Sequence, residues 1–143
     1  MPTESSEHPD LDELRDEIRV LHRTFIDAHL TADVEGVLRD QADRLTFVAN
    51  GEIRERTIDE TRKLMSNYLP NTRFSEYRDL AEPIVGVSDD GSLGWSIVQV
   101  KVAGTRMMED GTERELDFTC AWLTLYERQD GRWMRTAEVS TFK

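Results

Sequence analysis

Apolar positions in the first part of this chain recur at helical spacing, and in the last part they alternate as they do in strands. Leu11, Leu14, Ile18, Leu21, Phe25 and Ala28 share one face of a long amphipathic helix. Asp10 caps its start, and Glu13 three residues later completes a capping-box-like entry. Thr31-Ala32-Asp33 breaks this helix and caps a short second one, whose apolar stripe is Val34, Val37 and Leu38. Residues 45–49 read as a strand, and 52–56 return from the Asn50-Gly51 turn, a pair suited to a hairpin that needs positive φ at both positions. Thr57-Ile58-Asp59-Glu60 is a capping box opening a third helix, predicted to bury Ile58, Leu64, Met65, Tyr68 and Leu69 before Pro70 stops it. Residues 73–80 and 83–88 form one strand region interrupted at Ala81-Glu82-Pro83, where a proline permits only an edge or a bulge. Long strands follow over 93–103, 115–127 and 133–142, separated by Asp-Gly turns at 110–111 and 130–131.

This order predicts an α+β fold: three N-terminal helices packed on one strongly curved, mostly antiparallel sheet, a cone with a mouth suited to a small molecule. Residues 1–9 lack periodicity and are expected to be a flexible leader, leaving 10–143 as a single domain. The 143 residues suffice for one substantial core. One cysteine, Cys120, excludes an internal disulfide and makes a reducing cytoplasm the default compartment. A net charge of −11, from 29 acids against 18 bases, disfavours a phosphate backbone as partner, and no apolar stretch approaches a membrane span. The bases are 15 Arg and 3 Lys, a bias that fits a GC-rich genome or a salt-loving host equally well.

Four stretches together resemble the nuclear transport factor 2-like superfamily, which includes ketosteroid isomerases and SnoaL-like polyketide cyclases. Thr31-Ala-Asp-Val-Glu35 is similar to the family's step into its second helix, Leu45-Thr-Phe-Val-Ala-Asn-Gly51 to its first hairpin, and Thr57-Ile-Asp-Glu60 to the start of its third helix. The segment from Leu123 to Trp133 is similar to the closing hairpin. The resemblance spans about residues 11 to 142, and the order of its motifs carries it. It implies a cone of helices on a bent sheet, but not a function, because members range from isomerases and dehydratases to binding and assembly modules. The isomerase positions here fall on Ala49, Leu123 and Phe25, none of which can transfer a proton or donate to an enolate. No epoxide-hydrolase-type Asp-Arg-Asp arrangement is evident in the sequence.

The resemblance also sets which strand faces point inward. With Leu123 inside, Phe118, Cys120, Trp122 and Tyr126 fall on the outer face as a homodimer interface; with the faces reversed they are core. Cys120 has no neighbouring sign of activation and is expected to be an inert thiol. Trp95 and Gln99 then line the cone with Phe25, Phe47, Ala49, Tyr68, Leu123 and Ser140 as a site for a small hydrophobic or aromatic molecule; the alternative is that Trp95 and Tyr68 fill it. The last strand turns Met134, Thr136, Glu138 and Ser140 inward. Glu138 is the candidate acid-base group, or else a structural carboxylate paired with an inward arginine. His29, near the end of the first helix, is the second catalytic candidate; His22 is expected to be a hydrogen-bonded packing residue, and His8 has no assigned role. Arg54 and Arg56 are expected to be solvated. No metal cluster, nucleotide loop or redox pair is present, so neither a metal nor a cofactor is expected. Three readings follow: a small-molecule-binding domain, a cofactor-free cyclase, isomerase or dehydratase using Glu138, and an assembly domain with a filled cone.

Overall fold

The computed structural model describes residues 9–143, so His8 and most of the expected leader lie outside the described residues. Helix α1 (Leu11–Leu30) leads to α2 (Val34–Leu38), the hairpin β1 (Gln41–Ala49) and β2 (Glu52–Thr57), and helix α3 (Ile58–Tyr68). Strands β3 (Thr72–Asp79), β4 (Ile84–Val87), β5 (Leu93–Met107), β6 (Glu113–Gln129) and β7 (Arg132–Phe142) follow. The sheet runs β2-β1-β7-β6-β5-β3, with β4 beside β3 on the same edge of β5. Every pairing is antiparallel except β1 with β7, so the architecture is α+β with a mixed, largely antiparallel sheet under the helices. No helix among the described residues is long and apolar enough to cross a membrane.

The local signals act as their chemistry demands. Asp10 accepts from the Glu13 amide, and Asp33 from the Gly36 amide, each satisfying a donor the helix leaves free. Thr57 and Glu60 cap each other reciprocally. At the first hairpin, Asn50 and Gly51 take φ of 53° and 78°, and Asp130-Gly131 repeats that geometry between β6 and β7. Tertiary context alters three details. Strand β1 starts at Gln41 rather than 45, because Gln41 is buried and donates to Thr61 on α3. Leu64 is half exposed, and Thr61 rather than a larger residue is the buried one on α3. The interrupted strand region is two separate edge strands, both paired to β5.

Helix α1 presses Leu14, Ile18, His22 and Ile26 onto the concave side of the sheet. Ile18 is fully buried against Tyr126 and Trp133. It approaches β5 so closely at Gly94 that a Cβ there would lie 2.6 Å from its terminal methyl, which leaves room only for glycine. His22 acts as the packing histidine expected: its ring nitrogen lies 2.7 Å from the Asp79 carboxylate on β3.

The concave face is the reverse of the expected one on β5 and β6. Val98, Val100 and Val102 pair with Trp122, Cys120 and Phe118, and this double row faces the helices. Tyr126, too, is buried, beside Ile18. Phe118, Cys120, Trp122 and Tyr126 therefore form no outer interface, and Trp95, Gln99 and Leu123 stand on the convex side. Two facts explain the reversal. The large rings fill the wide gap under α1, and the convex row carries the ion pair between Lys101 and Asp117, which needs water. On β7 a bulge at Thr136 changes the phase. Trp133 and Arg135 point inward before it, Glu138 and Ser140 after it, and Met134 lies opposite Glu127 on the other face.

Candidate functional site

The concave face is lined by rings from five elements. Phe25 and His29 of α1 pack at 4.5 Å between centroids, His29 and Tyr77 of β3 at 5.0 Å, and Phe25 and Trp122 of β6 at 6.0 Å. Tyr68 of α3 meets Phe74 edge-on. Phe47 of β1 lies beside Glu138 of the parallel strand β7, and both face inward. Of the residues singled out in the sequence, Phe25, His29, Phe47, Tyr68, Glu138 and Ser140 are thus brought to one face, with Ala49 at its β1 rim. Trp95, Gln99 and Leu123 are not brought there; the Trp95 indole lies over Gly86 of β4 instead.

Electrostatically the face is organised by Arg135, which the sequence reading did not single out. Its guanidinium is buried, lies 5.1 Å over the Phe25 ring and donates to the Val37 carbonyl at 3.0 Å. Glu138 lies 3.5 Å away on one side and Asp40 3.5 Å away on the other. Burial opposes the charge of Arg135, but Asp40 and Glu138 together outweigh it and raise its pKa. Asp40, at the entry to β1, is raised from the ordinary carboxylate value chiefly by burial. Glu138 is therefore paired with an inward arginine, the structural alternative of the two considered for it. The three charges form a carboxylate–guanidinium–carboxylate chain that the sequence concealed, because Asp40 and Arg135 are distant in sequence and the bulge alone turns Arg135 inward.

His29 is held by a hydrogen bond between Nδ1 and the Phe25 carbonyl at 2.8 Å. Burial drives its pKa down to about 4, so the ring is neutral at pH 7, with Nδ1–H donating and Nε2 left as an acceptor. Burial also pushes the Tyr77 hydroxyl well above its ordinary range and the Cys120 thiol up to about 11, with Glu138 adding to the latter shift. Cys120 is consequently an un-ionised thiol at neutral pH, as expected. Arg56 is not simply solvated: its guanidinium stacks 4.3 Å over Phe47, and burial lowers its pKa. Arg106 lies similarly over Tyr68 at 5.0 Å. Among the described residues, no three His, Cys, Asp or Glu side chains converge as a metal ion requires.

A separate open groove of about 530 Å³ runs between α1 and the β6–β7 turn, lined by Val20, Leu21 and Trp133 and by the acids Glu13, Asp16, Glu17 and Asp40. Arg135 thus stands between Asp40 on the groove and Glu138 in the cone.

No protein-family model matches this chain, and no curated protein matches it. Solved structures do match. An NTF2-like protein from Cytophaga hutchinsonii superposes with a TM-score of 0.70 at 22% identity, covering 89% of this chain and 96% of its own. An NTF2-like protein from Rhodospirillum rubrum gives 0.68 at 21% identity over 88% and 98%. An NTF2-like protein with a cystatin-like fold from Novosphingobium aromaticivorans gives 0.64 at 15% over 90% and 80%. Agreement over nearly the whole length at such identities is agreement of architecture. The helices and the bent mixed sheet described here are those of the nuclear transport factor 2-like fold.

Proposed function

We propose that the concave side of the sheet binds a small hydrophobic or aromatic molecule. One observation carries this reading. The inward rings of Phe25, Phe47, Tyr68, Tyr77 and Trp122 are only partly buried, whereas Val100 and Val102 deeper on the same sheet face are sealed. Clustered rings that keep part of their surface uncovered suit a flat apolar ligand, with Glu138 as a polar anchor. Glu138 and the neutral His29 make acid-base turnover the alternative within the same site.

Native mass spectrometry after incubation with a metabolite extract tests this. An adduct of small-molecule mass is expected on the parent and on Trp95→Ala, whose indole lies on the convex side, and not on Trp122→Ala. No adduct, or one that survives Trp122→Ala, overturns the reading. A bound compound that Glu138→Gln retains but no longer converts assigns turnover to the site.

A second observation favours self-association. Ile53, Val48, Val139, Leu123, Ile97 and Ile84 stand side by side across six neighbouring strands, forming one aliphatic band over the convex face. Five of the six are exposed, from Leu123 at 38% to Ile53 at 78%. A band crossing a whole sheet face is self-complementary, and a second copy of this chain covers it without new chemistry. Light scattering is expected to give twice the 16.5 kDa chain mass for the parent and the single mass for Leu123→Glu. A monomeric parent defeats the proposal.

A further inference from the structure

We propose that the cone selects a ligand bearing a carboxylate on its flat apolar body, with that carboxylate received by Arg56. This rests on reading the cone as a small-molecule site and adds the charge of its occupant.

The charged groups on the concave face are unevenly paired. Arg54 is paired with Glu52, its neighbour on β2. Arg135 is held between Glu138 and Asp40, and Asp79 faces His22 across the narrow end. His29 is neutral at pH 7. Arg56, Arg106 and Arg114, the cross-strand partner of Arg106, remain, and among the described residues none forms an ion pair with a carboxylate; Arg56 lies over Phe47 and Arg106 over Tyr68. Glu138 and Glu60 are close enough to act on Arg56 through space. Glu138, however, is engaged by Arg135, and the Glu60 carboxylate accepts from the Thr57 amide and hydroxyl in the helix cap. A chain with a net charge of −11 therefore keeps guanidinium groups without carboxylate partners on its concave face.

The energetic consequence sets the ligand class. Arg56 is already partly withdrawn from water over Phe47. A neutral ring seated on the aromatic wall would cover it further and return no partner, and burying an unpaired cation is costly. A carboxylate returns two parallel N–H···O bonds in the geometry the guanidinium fork presents. Of these arginines Arg56 is the one at the anchor, because Phe47 beneath it lies directly beside Glu138. The ligand body then runs from Phe47 toward Trp122 and Phe25.

Calorimetric titration of the full chain with 2-naphthoate and 2-naphthamide, which share one body and differ in charge, tests the assignment. Benzoate and biphenyl-4-carboxylate with their amides serve as smaller and larger bodies. Some acid is expected to bind about tenfold or more tightly than its amide. Arg56→Gln is expected to abolish that preference by weakening acid binding far more than amide binding, and Arg56→Lys to restore it in part. Equal affinity for acid and amide overturns the selection of a carboxylate and leaves the cone as a small-molecule site. A preference that persists in Arg56→Gln overturns the role of Arg56. Failure of every acid and amide to bind overturns both this inference and the reading it rests on.

Discussion

Arg135→Met is expected to cost about 3–5 kcal/mol of folding stability at pH 7, because it removes one member of a buried ionic cluster and leaves the others in place. Methionine keeps much of the side-chain volume and can still pack on Phe25, so packing changes little. The cost lies in the two stranded carboxylates, and unequally. Glu138 keeps 24% of its side-chain surface in water and can turn outward, whereas Asp40 keeps only 8% and cannot. Adding Asp40→Asn to Arg135→Met is therefore expected to recover much of the loss, and Glu138→Gln rather little.

The same cluster gives the variant a pH signature. Burial raises the folded-state pKa of Asp40 above its ordinary 3.8, and Arg135 is the group that opposes this, so removing Arg135 raises it further. A carboxyl whose pKa is raised by folding favours the folded state when protonated. Asp40's contribution to stability is then greatest below 3.8 and declines as pH rises through the folded-state value. Urea unfolding of Arg135→Met should accordingly show a deficit that shrinks as pH falls from 7 toward 4. A deficit under about 1 kcal/mol at pH 7, or one that grows on acidification, would falsify the buried-charge account.

Ile18→Ala is expected to cost about 2–5 kcal/mol, toward the upper end of that range, for a different reason. Ile18 is completely buried, and its terminal methyl fills the gap above Gly94 beside the edge of the Trp133 ring. The neighbours cannot collapse into the space. On one side is the sheet backbone, and on the other the Trp133 ring, held between Arg128 and Tyr126. Chemical denaturation should show a lowered midpoint with an unchanged slope, since the cavity does not alter the surface exposed on unfolding. Ile18→Val, which keeps most of the contact, should lose only about 0.5–1.5 kcal/mol. Similar losses for the two variants would mean that the contact at Gly94 contributes little.

What the sequence made legible was what is decided locally. Asp10, Asp33 and Thr57 cap their helices through amides three residues away, and Asn50-Gly51 turns because of its own backbone preferences. These features survive any tertiary arrangement, and with element order they were enough to indicate the architecture. Facing was harder, because β5 and β6 are apolar on both sides. Trp95, Ile97, Leu123 and Leu125 compete with Val98, Val100, Cys120 and Trp122, so alternation establishes two faces without saying which is inner. Lys101 and Asp117 were the usable clue, since each shares a face with the residues that proved to be outside. Along β7 no pattern could have revealed the phase change at Thr136, a single extra residue whose effect is to bring Arg135 into the cone. The site's aromatic wall and Glu138 were therefore partly readable, and its charge network was not. That network joins α2, β1 and β7, and only long-range pairing brings these together.

The parallel pairing of β1 with β7 also bears on when the site comes into being. Phe47 and Glu138 become neighbours only through that pairing, which closes a loop containing α3 and all the intervening strands. Contacts so distant in sequence are slow to form, because the chain must give up the entropy of the whole loop before the pairing returns anything. A nascent chain emerging from the ribosome can build α1, the β1–β2 hairpin and α3 while β7 is still unmade, yet it has neither Arg135 nor Glu138 with which to neutralise Asp40. Until β7 docks, the acid at the entry to β1 and the hydrophobic edge beside it stand uncovered, which makes this interval the one in which a chaperone, or a premature encounter with another chain, has most to act upon.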